Sequence, residues 1–370
     1  MRKQTISFAA AAILLVSAAV LSQPGSQGYV SVGTTHQSWD IEHVDDPIRQ
    51  TAFPLAVFFP FSKRLMVHFS NLPASTQFGD VKLSGLSDTW IKATYLFPGE
   101  KFMINAGLGA PTGKTGLKVS EFMLSQMLSE NLFQFRLPVY GQGFSAKIGA
   151  AIALPVNEKS VLGFGVNSIT KNAYHPIEDK GVEFQPGGET SVFAGLDTKL
   201  GLKSRWSIDL VYTLYGKDRI NNEDVYNSGS KLLVHSNLTA SLGKGMVSAS
   251  VCFRQRGKNE YWTGTVLEAE SKNSNGNQLE VDVDWQFLKW PAGSLSLLGA
   301  GRLYSKNGYG EGEANVLGGG AGTAFRISSK TSLSLAVRYL SGTLKTAGNA
   351  QTQDIQINGL DVMGGLTYEL

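Results

Sequence analysis

The sequence predicts an all-β protein: a transmembrane antiparallel β-barrel of about fourteen strands, with an N-terminal plug segment and a short helix in an outer loop. Three observations carry this expectation. Apolar and polar residues alternate over stretches too long for ordinary globular strands. The connections between those stretches alternate between short and long. Beyond the N-terminal region, no apolar run approaches the roughly 18 residues that a membrane-crossing helix needs.

The chain starts as an exported protein. Arg2 and Lys3 precede the apolar run Phe8–Val20, and small residues around Ser22 offer a cleavage point, so residues 1–22 read as a signal peptide. No Cys follows that run to carry a lipid anchor. Residues 23–64 alternate poorly. They gather His36, Glu42, His43, Asp45 and Asp46, then the apolar PLAVFFPF (54–61), interrupted by Pro54 and Pro60. One reading is a plug inside the lumen, with Phe58, Phe59 and Phe61 set against the wall or the substrate path. The other is an extra first strand near 28–37 followed by a linker.

Residues 65–370 read as the barrel. In SRWSIDLVYTLYG (204–216), Trp206, Ile208, Leu210, Tyr212 and Leu214 share one face, while Ser207, Asp209 and Thr213 lie on the other. MVSASVCFRQR (246–256) and NQLEVDVDWQF (277–287) alternate in the same way. Strands are expected near 65–78, 88–97, 101–110, 143–154, 158–169, 189–201, 204–216, 230–242, 245–257, 276–288, 293–304, 315–326, 330–341 and 355–370. The joints FPGEK, LPVNEK, LGLKS, LGKGM, LKWPAGS and ISSKT are brief, and the intervening segments are longer and polar. That sorting suits the periplasmic turns and outer loops of a bacterial outer-membrane barrel, the one sheet form that satisfies its backbone in lipid. The final LDVMGGLTYEL resembles the C-terminal signal of such barrels, with Tyr368 third from the end.

Composition agrees. With 42 Gly and 12 Pro the chain suits many strands with tight bends, and the single Cys252 makes no internal disulfide. A net charge of +3 gives no footprint for nucleic acid.

One segment breaks the pattern. In EFMLSQMLSENLFQF (121–135), apolar residues recur at three- and four-residue steps, which predicts a helix in the long loop between the third and fourth expected strands. Phe122, Met123, Met127, Leu128, Leu132 and Phe133 form the candidate surface for catching an apolar ligand; packing over the barrel mouth is the competing role. Inside the barrel the same register places Lys92, Asp209, His235 and a cluster of Arg254, Arg256, Glu280, Asp282, Asp284, Arg302 and Arg338. Such a cluster suits cross-strand pairs that brace the wall and anchor a plug, or a polar constriction that selects solutes.

No catalytic constellation is legible, so the expectation is a non-enzyme without cofactor or metal. GAPTGKT (109–115) has Leu108 where a phosphate loop needs its first Gly. His36 and His43 match no metal-ligand spacing, and no G-x-S-x-G motif is present.

The signal peptide, the pre-barrel segment, the strand number and the apolar helix in an early outer loop together resemble the FadL-type long-chain fatty acid and hydrocarbon transporters. The stretch 85–116 also resembles related barrels associated with phenol and aromatic meta-pathway degradation, through Gly85, Leu86, Asp88 and Thr89, then Gly107, Gly109, Pro111, Thr112 and Gly113. The resemblance implies passive uptake of a hydrophobic small molecule (a fatty acid, hydrocarbon or aromatic) across the bacterial outer membrane. The ligand would be caught on the outer loops, enter around a plug, and leave through the wall or past the moved plug. Implied partners are the hydrophobic molecule or lipid, outer-membrane lipid and lipopolysaccharide, and envelope proteins, since barrels of the same superfamily also serve secretion machines. A structural or partner-binding barrel and a general polar-solute porin are the alternatives.

Overall fold

In the computed structural model, which describes residues 28–347 and 352–370, strands pair antiparallel in sequence until the last closes on the first. The expected signal peptide, 1–22, lies outside the described residues. The first third of the chain contains β1 (Tyr29–Ile41), β2 (Ile48–Ala52), β3 (Leu55–Pro60), β4 (Leu65–Asn71), β5 (Ala74–Phe78), β6 (Val81–Gly85), β7 (Thr89–Leu96) and β8 (Phe102–Ala110), followed by helix α1 (Val119–Ser129). Next come β9 (Ser145–Pro155), β10 (Ser160–Lys171), β11 (Phe184–Gln185), β12 (Glu189–Lys199), β13 (Arg205–Tyr215), β14 (Lys217–Ile220), β15 (Glu223–Asn227), β16 (Lys231–Leu242) and β17 (Gly245–Arg256). The remainder is β18 (Glu260–Trp262), β19 (Leu267–Ala269), β20 (Gln278–Trp290), β21 (Gly293–Tyr304), β22 (Ala314–Arg326), β23 (Thr331–Ala347) and β24 (Thr352–Glu369).

The wall is a closed antiparallel barrel of 16 strands, two more than expected. Both additions come from the segment expected as a plug. β1 pairs with β24 along its whole length, from Tyr29↔Glu369 to Ile41↔Ile357. Its first residues pair with β3, from Tyr29↔Phe58 to Val32↔Leu55, and its later ones with β2. The described part of the expected plug is therefore wall, as in the alternative reading of an extra first strand. The prolines that obscured it fall where a strand can lose an N–H: Pro54 at the joint between β2 and β3, and Pro60 at the end of β3. The three plug candidates are accordingly placed elsewhere. Phe58 stacks on Tyr29 with centroids 5.5 Å apart, Phe59 is exposed in β3, and Phe61 is exposed in the turn beyond it.

The outer surface is that of a bilayer-embedded barrel. Ile91, Leu108, Ile148, Val192, Leu210, Leu214, Leu297, Leu317, Leu335 and Val337 are exposed, on strands that run right around it. Apolar side chains in that position are stable against hydrocarbon and would be unfavourable in water. The brief turns and both ends of the described chain share one rim, where the Leu370 N–H donates to the Gly28 carbonyl (2.7 Å). The long connections share the other rim, which carries a second antiparallel sheet of β11, β14, β15, β18 and β19.

Near that second rim the wall is creased between β1 and β7. β2 and β3 part around Phe53–Pro54, β4 and β5 around Leu72–Pro73, and β6 and β7 around 86–88. Backbone bonds carry the sheet across the crease: Gly33 N–H to the Pro54 carbonyl (2.9 Å), Phe53 N–H to Pro73 (2.8 Å) and Ser87 N–H to Leu72 (3.1 Å). Beyond the crease β2, β5 and β6 continue as a ledge, while β8 pairs with β7 alone on that side.

Candidate functional site

The main apolar core lies within the barrel and is built by the segment between β8 and β9. Leu117, Leu124, Leu128, Leu132, Phe133, Phe135, Leu137 and Tyr140 pack with Trp39 and Ile48 of the first strands, Leu83 of the ledge, and Val316, Leu340 and Ile357 of the last strands. Since β22, β23, β24, β1 and the ledge are consecutive around the wall, the segment lines one side of the lumen. Trp39 is its main seat. The ring of Phe133 meets it edge-on at 5.4 Å, and the Arg302 guanidinium lies 5.7 Å from its centroid.

Polar side chains on the wall bind the backbone of the incoming segment and satisfy groups that burial would otherwise strand. Tyr304 hydroxyl donates to the Asn131 carbonyl (2.8 Å) and Arg302 Nη1 to that of Leu132 (2.9 Å). Gln37 donates through Nε2 to the Gln134 carbonyl (3.1 Å) and accepts through Oε1 from the Arg136 N–H (2.6 Å). Gln50 does the same with both backbone groups of Leu137, at 2.9 and 2.7 Å. Tyr140 donates its hydroxyl to the Leu83 carbonyl (2.9 Å) and meets Thr76 at 2.9 Å; burial pushes this phenol up to about 12.

Both ends of the segment are gathered at one carboxylate. Asp88 accepts from the Gly113 N–H (3.0 Å) at the point of entry and from the Gln142 N–H (2.7 Å) at the point of return. Burial raises its pKa against the lowering effect of those two bonds. Thr112 Oγ1 adds contacts to the Thr89 N–H (3.0 Å) and the Ser87 carbonyl (3.0 Å). At Gly113 an added Cβ would overlap the Tyr140 carbonyl, the Gly141 backbone and the Asp88 carboxylate, so only glycine lets the strands of the clamp approach. The GLSDT and GAPTG residues of the sequence motif therefore form a structural clamp.

α1 begins at this clamp. Glu121 receives both an ion pair from Lys114 (2.8 Å) and the Lys118 N–H (3.0 Å), which fixes the first turn. Burial alone would raise the Glu121 carboxyl; the bonds and charges of Lys114 and Lys118 hold it below the usual range.

The helix is shorter than the 121–135 periodicity suggests, and its apolar residues divide between two roles. Leu128, Leu132 and Phe133 are buried in the core, so they form no exposed capture surface. Met123 is 62 % exposed, and Phe122 and Met127 are half-buried. Phe122 lines a cavity of about 170 Å³ between α1, the returning chain at 139–142 and the connection around Tyr174, Pro176 and Phe184. Ser125, Gln126 and Lys114 add polar groups to it. Burial, then the nearby Asp88 and Asp218, push the Tyr174 phenol up to about 12. The sequence reading missed Tyr174 and Phe184, which lie in a connection without periodicity.

The expected lumen cluster is only partly brought together. Arg338 bridges Asp282 (3.2 Å) and the buried Asp361 (3.0 Å). Gln37 also bonds Asp361 (3.3 Å), which links this pair to the inturned segment. Arg254 bonds Gln278 (2.6 Å) and approaches Glu280 at 4.0 Å. Arg302 serves the Leu132 carbonyl, Arg256 lies over Tyr215 at 5.9 Å, and Asp284 is exposed. Within the cluster, Arg302 bonds the inturned segment 113–142 directly and Arg338 is joined to it through Asp361 and Gln37.

No protein-family model matches the chain, and no curated protein matches it by sequence. Among solved structures it is similar to an outer membrane channel from Pseudomonas putida F1, with 10 % identity over 93 % of this chain and 96 % of that one, TM-score 0.40. It is similar also to a mutant of the TodX monoaromatic hydrocarbon channel (8 %, 93 % and 91 %, TM-score 0.48) and to Pseudomonas putida OprB (10 %, 92 % and 94 %, TM-score 0.49). At these values the fold assignment rests on the strand pairings of this chain itself.

Proposed function

We propose that this barrel is a bacterial outer-membrane channel for the passive uptake of hydrophobic small molecules, of the FadL-type superfamily that the sequence resembles. The observation that carries the reading is the aromatic-walled cavity at the loop-bearing rim, beside an apolar insert that fills one side of the lumen. Capture on Phe122, Tyr174 and Phe184 removes apolar surface from water, and the cavity's modest volume favours a small ring over a long folded chain. From there the ligand passes along the insert. No covalent step is required.

Uptake of toluene into proteoliposomes tests this reading. The full chain is expected to accelerate uptake over protein-free vesicles, and Ser125→Phe, which fills the cavity, to reduce that acceleration several-fold while leaving heat-modifiable folding intact. Equal uptake with and without the protein, together with large ion conductance in planar bilayers, would instead identify a polar-solute porin. Equal uptake without conductance would favour a structural or partner-binding barrel.

A further inference from the structure

A second set of lumenal residues lies outside the insert and its cavity. Successive strand registers align Tyr29↔Phe58, Phe58↔His68, His68↔Lys92, Lys92↔Gly107 and Gly107↔Lys147 across β1, β3, β4, β7, β8 and β9. Directly paired residues point to the same side of a sheet, so these six form one row. The row faces the lumen, because the intervening Ile91, Leu108 and Ile148 are exposed on the outer belt.

The row changes character along its length. Tyr29 and Phe58 stack at 5.5 Å, which makes one end aromatic. Lys92 and Lys147 make the other end cationic, with His68 standing between them and the rings. Between the lysines stands Gly107, where an added Cβ would lie 3.2 Å from Lys92 Cγ and 3.7 Å from Lys147 Cβ. Glycine at this position therefore lets the two lysine stems close over bare backbone, where any side chain would crowd Lys92. Trp90, one lumenal position toward the clamp, lies under the Lys92 ammonium at 5.5 Å and fits closely over Gly109.

Among the described residues, no carboxylate pairs with either lysine, although Lys92 rests on the Trp90 ring. Ion pairs engage Arg205, Arg254 and Arg338 with carboxylates instead. Glu189 is two strands beyond Lys147 and is taken by Lys171 at 2.7 Å. Glu189 bears on Lys147 only from a distance while paired to Lys171, and the two lysine ammonium groups repel each other across Gly107; that repulsion falls when an anion sits between them.

We propose that Lys92 and Lys147 form a lumenal station for the carboxylate of an otherwise apolar ligand, with the ring of Trp90 receiving its apolar body. The inference rests on the uptake reading and sharpens it: the transported class is hydrophobic carboxylates, and the lysines select it over neutral analogues.

Equilibrium dialysis of benzoate against the purified full chain in detergent tests the station independently of transport. Wild type is expected to bind benzoate at least tenfold more tightly than Lys92→Gln/Lys147→Gln, with benzyl alcohol binding unchanged between them. Arginine at both positions is expected to restore benzoate binding, which separates loss of charge from misfolding. Equal benzoate binding by wild type and the glutamine variant, or an equal loss for benzyl alcohol, would overturn the proposal. Selective benzoate binding without accelerated uptake of either benzoate or toluene into proteoliposomes would uphold the station and contradict the uptake reading instead.

Discussion

The two sides of the barrel are stabilised differently. From β12 to β20 the wall strands run unbroken from turn to rim, and cross-strand pairs such as Arg205 with Asp197 close the polar inner face upon itself. From β1 to β7 the strands are creased near the long-loop rim, and their inner polar groups (Gln37, Gln50, Thr76 and Asp88) are satisfied through the inturned segment. Backbone pairing holds both sides. Of the two, the creased side alone depends on the non-local insert, which β21 also seats through Arg302 and Tyr304, and there each lost contact strands a buried group rather than returning it to water. Perturbing the insert should therefore alter the lumen while leaving the barrel closed.

The largest effect is expected from Gly113→Val. Its side chain has no space beside Tyr140, Gly141 and Asp88, so the insert should leave its seat at a cost of about 3 kcal/mol or more. The matching change on the uncreased wall, Gly299→Ala, meets nothing nearer than Val283 Cβ at 3.8 Å and should be close to neutral. Limited proteolysis of folded barrels would separate them, with cleavage within 113–142 in the first variant alone. Next in size is Leu128→Ala, which opens a cavity in the core and should cost roughly 2–5 kcal/mol in chemical denaturation of the insert. Leu317→Ala, on the exposed belt, should cost clearly less.

A smaller loss, about 1–3 kcal/mol, is expected from Asp88→Asn, which weakens the bonds to the Gly113 and Gln142 amides. Faster hydrogen exchange at those two amides would report it, with β13 amides unchanged. The smallest effect concerns pH. The folded carboxyl of Glu121 is depressed, so its contribution is fully present above the ordinary glutamate value near about 4.3 and is lost as pH falls through the lower folded value. Exchange at 118–122 should accelerate in that acidic range in wild type, and Glu121→Gln should remove the pH dependence.

The same division governs what the sequence discloses. All fourteen expected strands have counterparts in the wall, because period-two alternation is written wherever one face meets lipid and the other the lumen. β1 was legible only as the alternative first strand near 28–37, because polar and charged residues fill its rim end, and β3 escaped because prolines interrupt the crease. Helical periodicity located α1 but not its role: Met123 and Leu128 look alike in sequence, and only tertiary contacts expose one and bury the other. The seats of the insert were illegible for a related reason. Gln37, Gln50 and Tyr304 bind backbone carbonyls and amides far along the chain, and such bonds leave no pattern in residue type. The GLSDT and GAPTG residues stood out as a motif, yet only their meeting at Asp88 shows that the motif closes a loop.

The inward course of 113–142 is the claim on which the rest depends, and crosslinking in intact outer membranes addresses it most directly. With Cys252→Ser as background, Gln37→Cys on β1 and Gln134→Cys in the insert would be treated with a short bismaleimide. The neighbouring positions, joined by a 3.1 Å bond in the native protein, should become linked within a single heat-modifiable chain. Reaction of both thiols with a monofunctional maleimide but no intrachain link in the folded barrel would contradict it, and would put the segment outside the lumen.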